Sequence, residues 1–221
     1  MAELSASQKW ILNLAAILAK TNRVGCDSML LGDPNNHDYI EAWQQTLRRD
    51  WDVNDYRSLI ESIEWILNTG HNRSFLATMQ GINHLSQPAF QSFANRHSED
   101  KKNELYLAYQ NRFALQGVGI QAWDIGRMVF LVRQGVYVGY LAESEAWEIL
   151  FQSAEKTQQR FSDWYHYGIS YVVGRHYWRG ANLSDSNCNV FYAYLNPIVG
   201  DIESGWNTLP WHTQLTRAHE K

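Results

Sequence analysis

The chain has 221 residues, enough for one domain, with 45% hydrophobic residues and a formal net charge of −4. That apolar share supports a sizeable core, and the lack of any Pro/Gly/Ser-rich stretch excludes a linker or a low-complexity tail. Its 19 basic residues are dispersed and outnumbered by 23 acidic ones, which disfavours nucleic acid as a partner, because phosphate neutralisation needs a basic stripe.

Helical periodicity recurs almost throughout, and no alternating strand pattern competes with it. The expectation is an all-α fold: one compact domain over 1–221, a bundle of about eight to nine helices, with an irregular C-terminal segment packed on the body. Trp10, Leu14, Ile17 and Leu18 share one face of a first helix from about Ser7 to Lys20. The apolar stretch Trp10 to Ala19 is too short to span a bilayer, so no membrane span is expected. After a turn region at Gly25 to Pro34, a second helix from about Asp38 to Arg49 aligns Ile40, Trp43 and Leu47. Asn54 is placed to cap a third, whose Tyr56, Leu59, Ile60, Ile63 and Leu67 form a stripe, with Gly70 supplying a left-handed end. Phe75, Leu76, Met79 and Ile82 mark a fourth helix.

Ser86 and Pro88 resemble a cap and first-turn pair ahead of Phe90 and Phe93. Beyond a polar break at Ser98 to Lys102, helical spacing of Leu105, Ala108 and Tyr109 continues towards Gly117. Three helices should follow: Ile120 to Gln134 closed by Gly135, Glu143 to Arg160 with acids in its first turn, and Ser162 to Trp178 ending at Gly180. From Ala181 to Lys221 the pattern is less regular. Asn196-Pro197 and Leu209-Pro210 break it, and Trp206 and Trp211 should pack it back onto the body.

Aromatic residues are unusually abundant, with 10 Trp, 12 Tyr and 8 Phe, and rings of this size should dominate core or interface energetics. Motifs that carry chemistry are scarce. Asp163 and His166 share a helical face like half of a di-iron repeat, but the second repeat is missing, so no metal is expected. No Gly-x-Ser-x-Gly elbow and no phosphate-cradling glycine loop occur, and no cofactor is expected. Glu143 and Glu145 read as dipole partners of a helix start. Cys26 and Cys188 match neither a disulfide framework nor a zinc pattern, which suits a reducing cytoplasm. The tetrapeptide Trp-Ile-Leu-Asn occurs at Trp10 to Asn13 and at Trp65 to Asn68; its flanks do not match, so it reads as coincidence between amphipathic helices rather than a repeat.

The block from 120 to 180 is the most distinctive. It runs Ala122-Trp123-Asp124 with Arg127, Gly139-Tyr140-Leu141, Glu145-Ala146-Trp147, Ser162-Asp163-Trp164, then Tyr171, Gly174-Arg175 and Trp178. This ordered set resembles the bacterial family catalogued as domain of unknown function 1266, found in enterobacterial Ybe-type proteins. Gly70-His71 upstream and Leu209-Pro210-Trp211 downstream extend the resemblance over most of the chain. One departure is Ala142, where a Ser or Thr cap would be expected before Glu143; Ser144 is the alternative cap. What the resemblance implies about activity is almost nothing.

Asp124 and Arg127 are three apart on one helix and can meet, and Arg175 on another helix could bridge to Asp124 or to a helix C-terminus. Gly126, Gly168 and Gly174 fall inside helical patterns, where close helix approach would compensate their low propensity. His71, at a helix junction, is placed to bond exposed backbone ends. The candidate group is therefore Trp123, Asp124, Arg127, Trp164, Arg175, Trp178 and His71, read first as a polar clamp in a helical core and second as a ligand site. The functional expectation is a non-enzymatic, cytoplasmic protein-interaction module of adaptor or toxin-neutralising type, whose partner is another protein. The alternative is a small-molecule enzyme or ligand sensor with a pocket around Asp124, Arg127 and Arg175. Homo-oligomerisation through the same aromatics is a third reading.

Overall fold

In the computed structural model, which describes residues 3–180 and 188–217, every regular element is a helix. The chain runs α1 (Ala6–Asn13), α2 (Ala16–Thr21), α3 (His37–Trp51), α4 (Tyr56–Asn68), α5 (Asn72–Ile82) and α6 (Gln87–Ala94). It continues with α7 (Glu99–Asn111), α8 (Gln121–Tyr137), α9 (Glu143–Arg160), α10 (Trp164–Arg179), α11 (Cys188–Val199) and α12 (Gly205–Thr208). None of these is long and apolar enough to cross a membrane.

The organising element is α8. Fifteen of its seventeen residues are buried, so it has no solvent face, as expected of a helix in the middle of a helical core. Around it pack α10, α4, α9, α2, α1 and α3. Gly135 was expected to close α8, but the helix runs through it to Tyr137, and the left-handed residue that ends it is Gly139 (φ 81°). Gly135 instead admits α4: a Cβ there would collide with Leu59 Cδ2. Gly174 plays the same part for α10, where a Cβ would run into Trp123 Cβ.

Three helix directions position the groove described below. Leu59, early in α4, meets Gly135, late in α8, so these two run antiparallel. Arg160 at the end of α9 bonds Gln121 at the start of α8 (3.2 Å), so α9 is antiparallel to α8 as well. The Tyr56 hydroxyl donates to Glu145 (2.6 Å), joining the starts of α4 and α9, which are parallel to each other.

Several boundaries differ from the sequence expectation for identifiable reasons. The first helix breaks at Leu14–Ala15, because side chains from elsewhere take the carbonyls that the break frees. Trp206 Nε1 donates to Asn13 O (2.9 Å), and the Tyr167 hydroxyl donates to Leu14 O (2.8 Å). Asp55 rather than Asn54 caps α4, in a capping box with Ser58. The N-cap of α9 is Ala142, with no side-chain cap bond. The C-terminal region is more helical than its pattern suggested, since α11 carries Pro197 in its last turn. Residues 181–187 and 218–221 of that segment lie outside the described set.

Trp206 and Trp211 do return the C-terminal region to the body, both buried. Trp164 lies in face-to-face stacking with Trp206 (5.3 Å, 15°), and Trp10 sits 5.1 Å from Trp164 and 5.0 Å from Trp211. Gln158 of α9 donates to the carbonyls of Trp211 (2.8 Å) and Thr213 (2.9 Å), strapping the segment across α9. On the far side of α8, Arg133 is fully buried, with no carboxylate partner among the described residues. Its guanidinium donates to the carbonyls of Gly25 (2.7 Å) and Ser28 (2.9 Å), which pins the loop between α2 and α3. Burial lowers the Arg133 pKa from its ordinary value.

Two outcomes test this packing. In Gly174→Ala, helix propensity gains up to about 1 kcal/mol. The new methyl meets the stiff base of Trp123, and overpacking of that kind costs about 1–3 kcal/mol. The variant should therefore lose thermal stability in a calorimetric scan, by roughly 2–4 °C per kcal/mol for a chain of this size; a raised Tm would refute the close approach. Burial also raises the pKa values of Tyr167 and Tyr171 above the ordinary tyrosine range. Above pH about 10 the unfolded chain therefore binds fewer protons than the native one, and stability falls with rising pH by about 1.4 kcal/mol per pH unit for each such tyrosine. Phenolate absorbance should rise for these two residues together with unfolding and not before it.

Candidate functional site

The chemistry-bearing residues of the 120–180 block meet at the start of α8, and they do so as reciprocal caps. The first N–H groups of α5 have no partner within their own helix, and the N-cap residue His71 offers no side-chain bond. Asp124, from α8, supplies one instead: its Oδ1 accepts from His71 N (3.1 Å) and its Oδ2 from Asn72 N (2.8 Å). In return, Asn72 Oδ1 accepts from Ile120 N (2.7 Å) at the start of α8. Each helix caps the other. Gly70 (φ 52°) and Gly119 (φ 58°) make the approach achievable, because a Cβ would strike Asp124 Oδ2 at the first and Asn72 Oδ1 at the second.

Arg127 completes the knot. Its Nη2 donates to Asp124 Oδ1 (2.7 Å) and to His71 Nδ1 (2.9 Å). A guanidinium has no acceptor, so Nδ1 is the acceptor in the contact between them. The Arg127 guanidinium also lies over the rings of Trp123 (4.7 Å) and Trp51 (5.3 Å). Burial lowers its pKa and the Asp124 charge opposes that shift. The Asp124 and Arg127 side chains are only 4% and 9% exposed, so a solvated surface pair is excluded. From α10, Ser170 donates to Gly119 O (2.8 Å) and accepts from Ala122 N (3.2 Å), tying the same helix start a third time.

The remaining candidates go elsewhere. Arg175 does not reach Asp124; its Nη2 donates to the Tyr194 hydroxyl (2.8 Å), and its guanidinium lies over that ring. Trp164 belongs to the Trp10, Trp206 and Trp211 cluster. Trp178 packs on Trp123 (5.6 Å) and is 54% exposed. Asp163 caps α10 by accepting from His166 N (2.7 Å), which explains that pair as a helix start. The two Trp-Ile-Leu-Asn copies occupy unlike surroundings, Trp10 buried and Trp65 half-exposed beside His71. Sequence reading missed Asn72, Gly119 and Ser170. The signal for Asn72 was its place in the first turn after His71, but its partner lies 48 residues away.

Beside the knot runs a groove of about 630 Å³ between α4 and α9, with α8 as its floor and α5 at one end. Ile60, Ile63, Leu67, Ile125 and Ile149 supply an apolar lining. The two ends differ in charge. Glu145 stands at the α4 and α9 N-terminal end, Arg73, Lys156 and Arg160 stand at the other, and the exposed Glu64 on the C-terminal half of α4 also lines the groove. None of these three cations is in an ion pair with a carboxylate among the described residues. Asp124 also borders the groove, but its two oxygens are engaged as above.

A family model described as "Protein of unknown function (DUF1266)" matches residues 46–211, which include the whole knot and the groove. The chain is similar to the uncharacterized protein YbeU of Escherichia coli (strain K12), with 28% identity over 177 residues covering 75% of each chain. It is also similar to the uncharacterized protein YbeR of the same organism, 28% identical over 138 residues, or 60% of this chain and 57% of that one. No solved structure matches it.

The knot makes a sharp stability prediction. Asp124→Ala leaves Arg127 buried without its carboxylate and both α5 amides without an acceptor, and should cost about 3–5 kcal/mol in urea unfolding. Asp124→Leu combined with Arg127→Met removes both charges and should recover part of that loss, though not all, because the α5 amides stay unpaired. A loss under 1 kcal/mol for Asp124→Ala would mean that the knot does not hold α5 to α8.

Proposed function

Since the chain belongs to the DUF1266 family, whose description assigns no activity, we propose from its surface that it is a non-enzymatic module that binds another protein. The observation that carries this reading is the groove between α4 and α9, with apolar residues along both walls and charged residues at its ends. A site of that make-up binds through apolar anchors and takes its selectivity from the charged rim. Leu67 and Tyr56, which belong to the apolar stripe of α4, are 44% and 49% exposed there, so the helix carries more apolar surface than its own neighbours cover.

The rival reading, a small-molecule pocket around Asp124, Arg127 and Arg175, has less support. Arg175 is turned to Tyr194, and the other two residues bond each other and the backbone of α5. We take the protein to be a single helical domain acting in the cytoplasm as an adaptor or neutralising partner; the free thiol of Cys26 accords with a reducing compartment.

The test is capture from the extract of its own cells on the full chain, with Leu67→Glu in parallel. A stoichiometric protein should be retained by the native chain and lost on Leu67→Glu, while the exposed substitution leaves stability within about 0.5 kcal/mol. Retention indifferent to Leu67, or no stoichiometric protein at all, would count against the reading.

A further inference from the structure

The directions of the helices around the groove limit what fits in it. The three helices that bound it, α4, α8 and α9, have the directions of three members of an up-down-up-down four-helix bundle: α4 and α9 parallel, α8 antiparallel beneath them. In such a bundle the fourth helix lies opposite α8, between α4 and α9, and runs antiparallel to both. Along α9, the lining beyond the Tyr56–Glu145 bridge, from Ile149 to Arg160, spans about 17 Å at 1.5 Å per residue, the length of a helix of roughly eleven residues. The rim residues Leu67, Gln152 and Lys156 are exposed, so the groove is open on its solvent side towards the α4 and α9 C-terminal end, whereas the Tyr56–Glu145 bond bridges it at the other.

The charges select the occupant further. A helix running antiparallel to α4 and α9 begins at the end where Arg73, Lys156 and Arg160 stand and finishes at the Glu145 end. Acidic residues in its first turn would complement its own dipole and the three cations together. Taking the interaction-module reading as its basis, we propose that the groove receives an amphipathic helix of a partner protein, antiparallel to α4 and α9. Its apolar stripe lies on Ile60, Ile63, Leu67, Ile125 and Ile149, and its acidic first turn lies against Arg73, Lys156 and Arg160. This is recognition by a helix laid in a groove, read through anchors at i, i+3, i+4 and i+7.

The experiment uses the full chain and a displayed library of helix-forming peptides, with one apolar stripe fixed and all other positions random. Selected peptides should be acidic in the first turn and lose affinity about tenfold or more against Arg73→Glu/Lys156→Glu. A zero-length carbodiimide cross-link from a first-turn carboxylate should map to Lys156, and vanish in Lys156→Arg while binding persists. Peptides that depend on Leu67 but carry no acidic first turn, or that cross-link through their last turn, would overturn the proposed occupant and leave the groove reading standing. A library with no member sensitive to Leu67→Glu would overturn both. Concentration-dependent self-association in light scattering that is lost on Leu67→Glu would assign the groove to a second copy of this chain and overturn the partner helix.

Discussion

A helix buried on every side can pair its polar groups only with other parts of the protein, and α8 carries Asp124, Arg127 and Arg133 together with the unpaired amides of its own start. Trp123 Nε1, Arg127 Nε and Arg133 Nη1 stay without a hydrogen-bond partner among the described residues, while the carboxylate and the remaining guanidinium nitrogens that bond are met from neighbouring elements. The rest of the molecule is arranged around that requirement. The loop between α2 and α3 lies where its carbonyls can receive Arg133, and α5 begins where Asp124 can accept its first amides. α10 contributes Ser170 to the same end of α8. An unsatisfied group at any of these points would cost more than an ordinary hydrogen bond contributes, because the penalty is desolvation without compensation. The knot is accordingly directional: it fixes where α5 and α10 start relative to α8, which general apolar packing would leave free to slide.

The all-α class and the spans of α4 and α9 were legible in the sequence because amphipathic spacing and the flanking Gly70 and Arg160 lie within one local window. The Asp124–Arg127 pair was legible for the same reason, being three residues apart on one helix. What escaped was everything that depends on a distant partner. Gly135 looks like a helix terminator until Leu59 is placed against it, and the break after Asn13 looks like continuous helix until Trp206 and Tyr167 take its carbonyls. Arg175 was drawn towards Asp124 on the strength of charge alone, whereas its actual neighbour, Tyr194, comes from a region whose pattern suggested little structure. The groove escaped altogether: the α4 stripe identifies a helix but not which edge of it the fold leaves open.

The family signature gains a physical meaning from this. Trp123, Asp124, Arg127, Tyr171 and Gly174 are the residues by which α8 and α10 close on each other and on α5. A pattern of that kind specifies how a core is assembled, and a resemblance carried by it transfers the fold without transferring a reaction. Function then has to be sought where the fold leaves polar and apolar groups without internal partners. Along the groove, Leu67, Arg73 and Lys156 are such groups among the described residues.

The knot and the groove are also linked electrostatically. Asp124 borders the groove, and a free carboxylate there would offset the attraction of Arg73, Lys156 and Arg160 for an acidic helix end. Its charge is instead neutralised by Arg127 and drawn into the first amides of α5, within the protein and away from the groove mouth. Binding the same amides fixes the start of α5, and with it the backbone that carries Arg73. A rim charge held on an anchored helix start loses less conformational freedom when a partner docks than one on a loose loop. The interaction that holds α5 to the buried α8 therefore also keeps the charge of Asp124 from offsetting the cations of the groove, and holds the helix start that carries Arg73 in place.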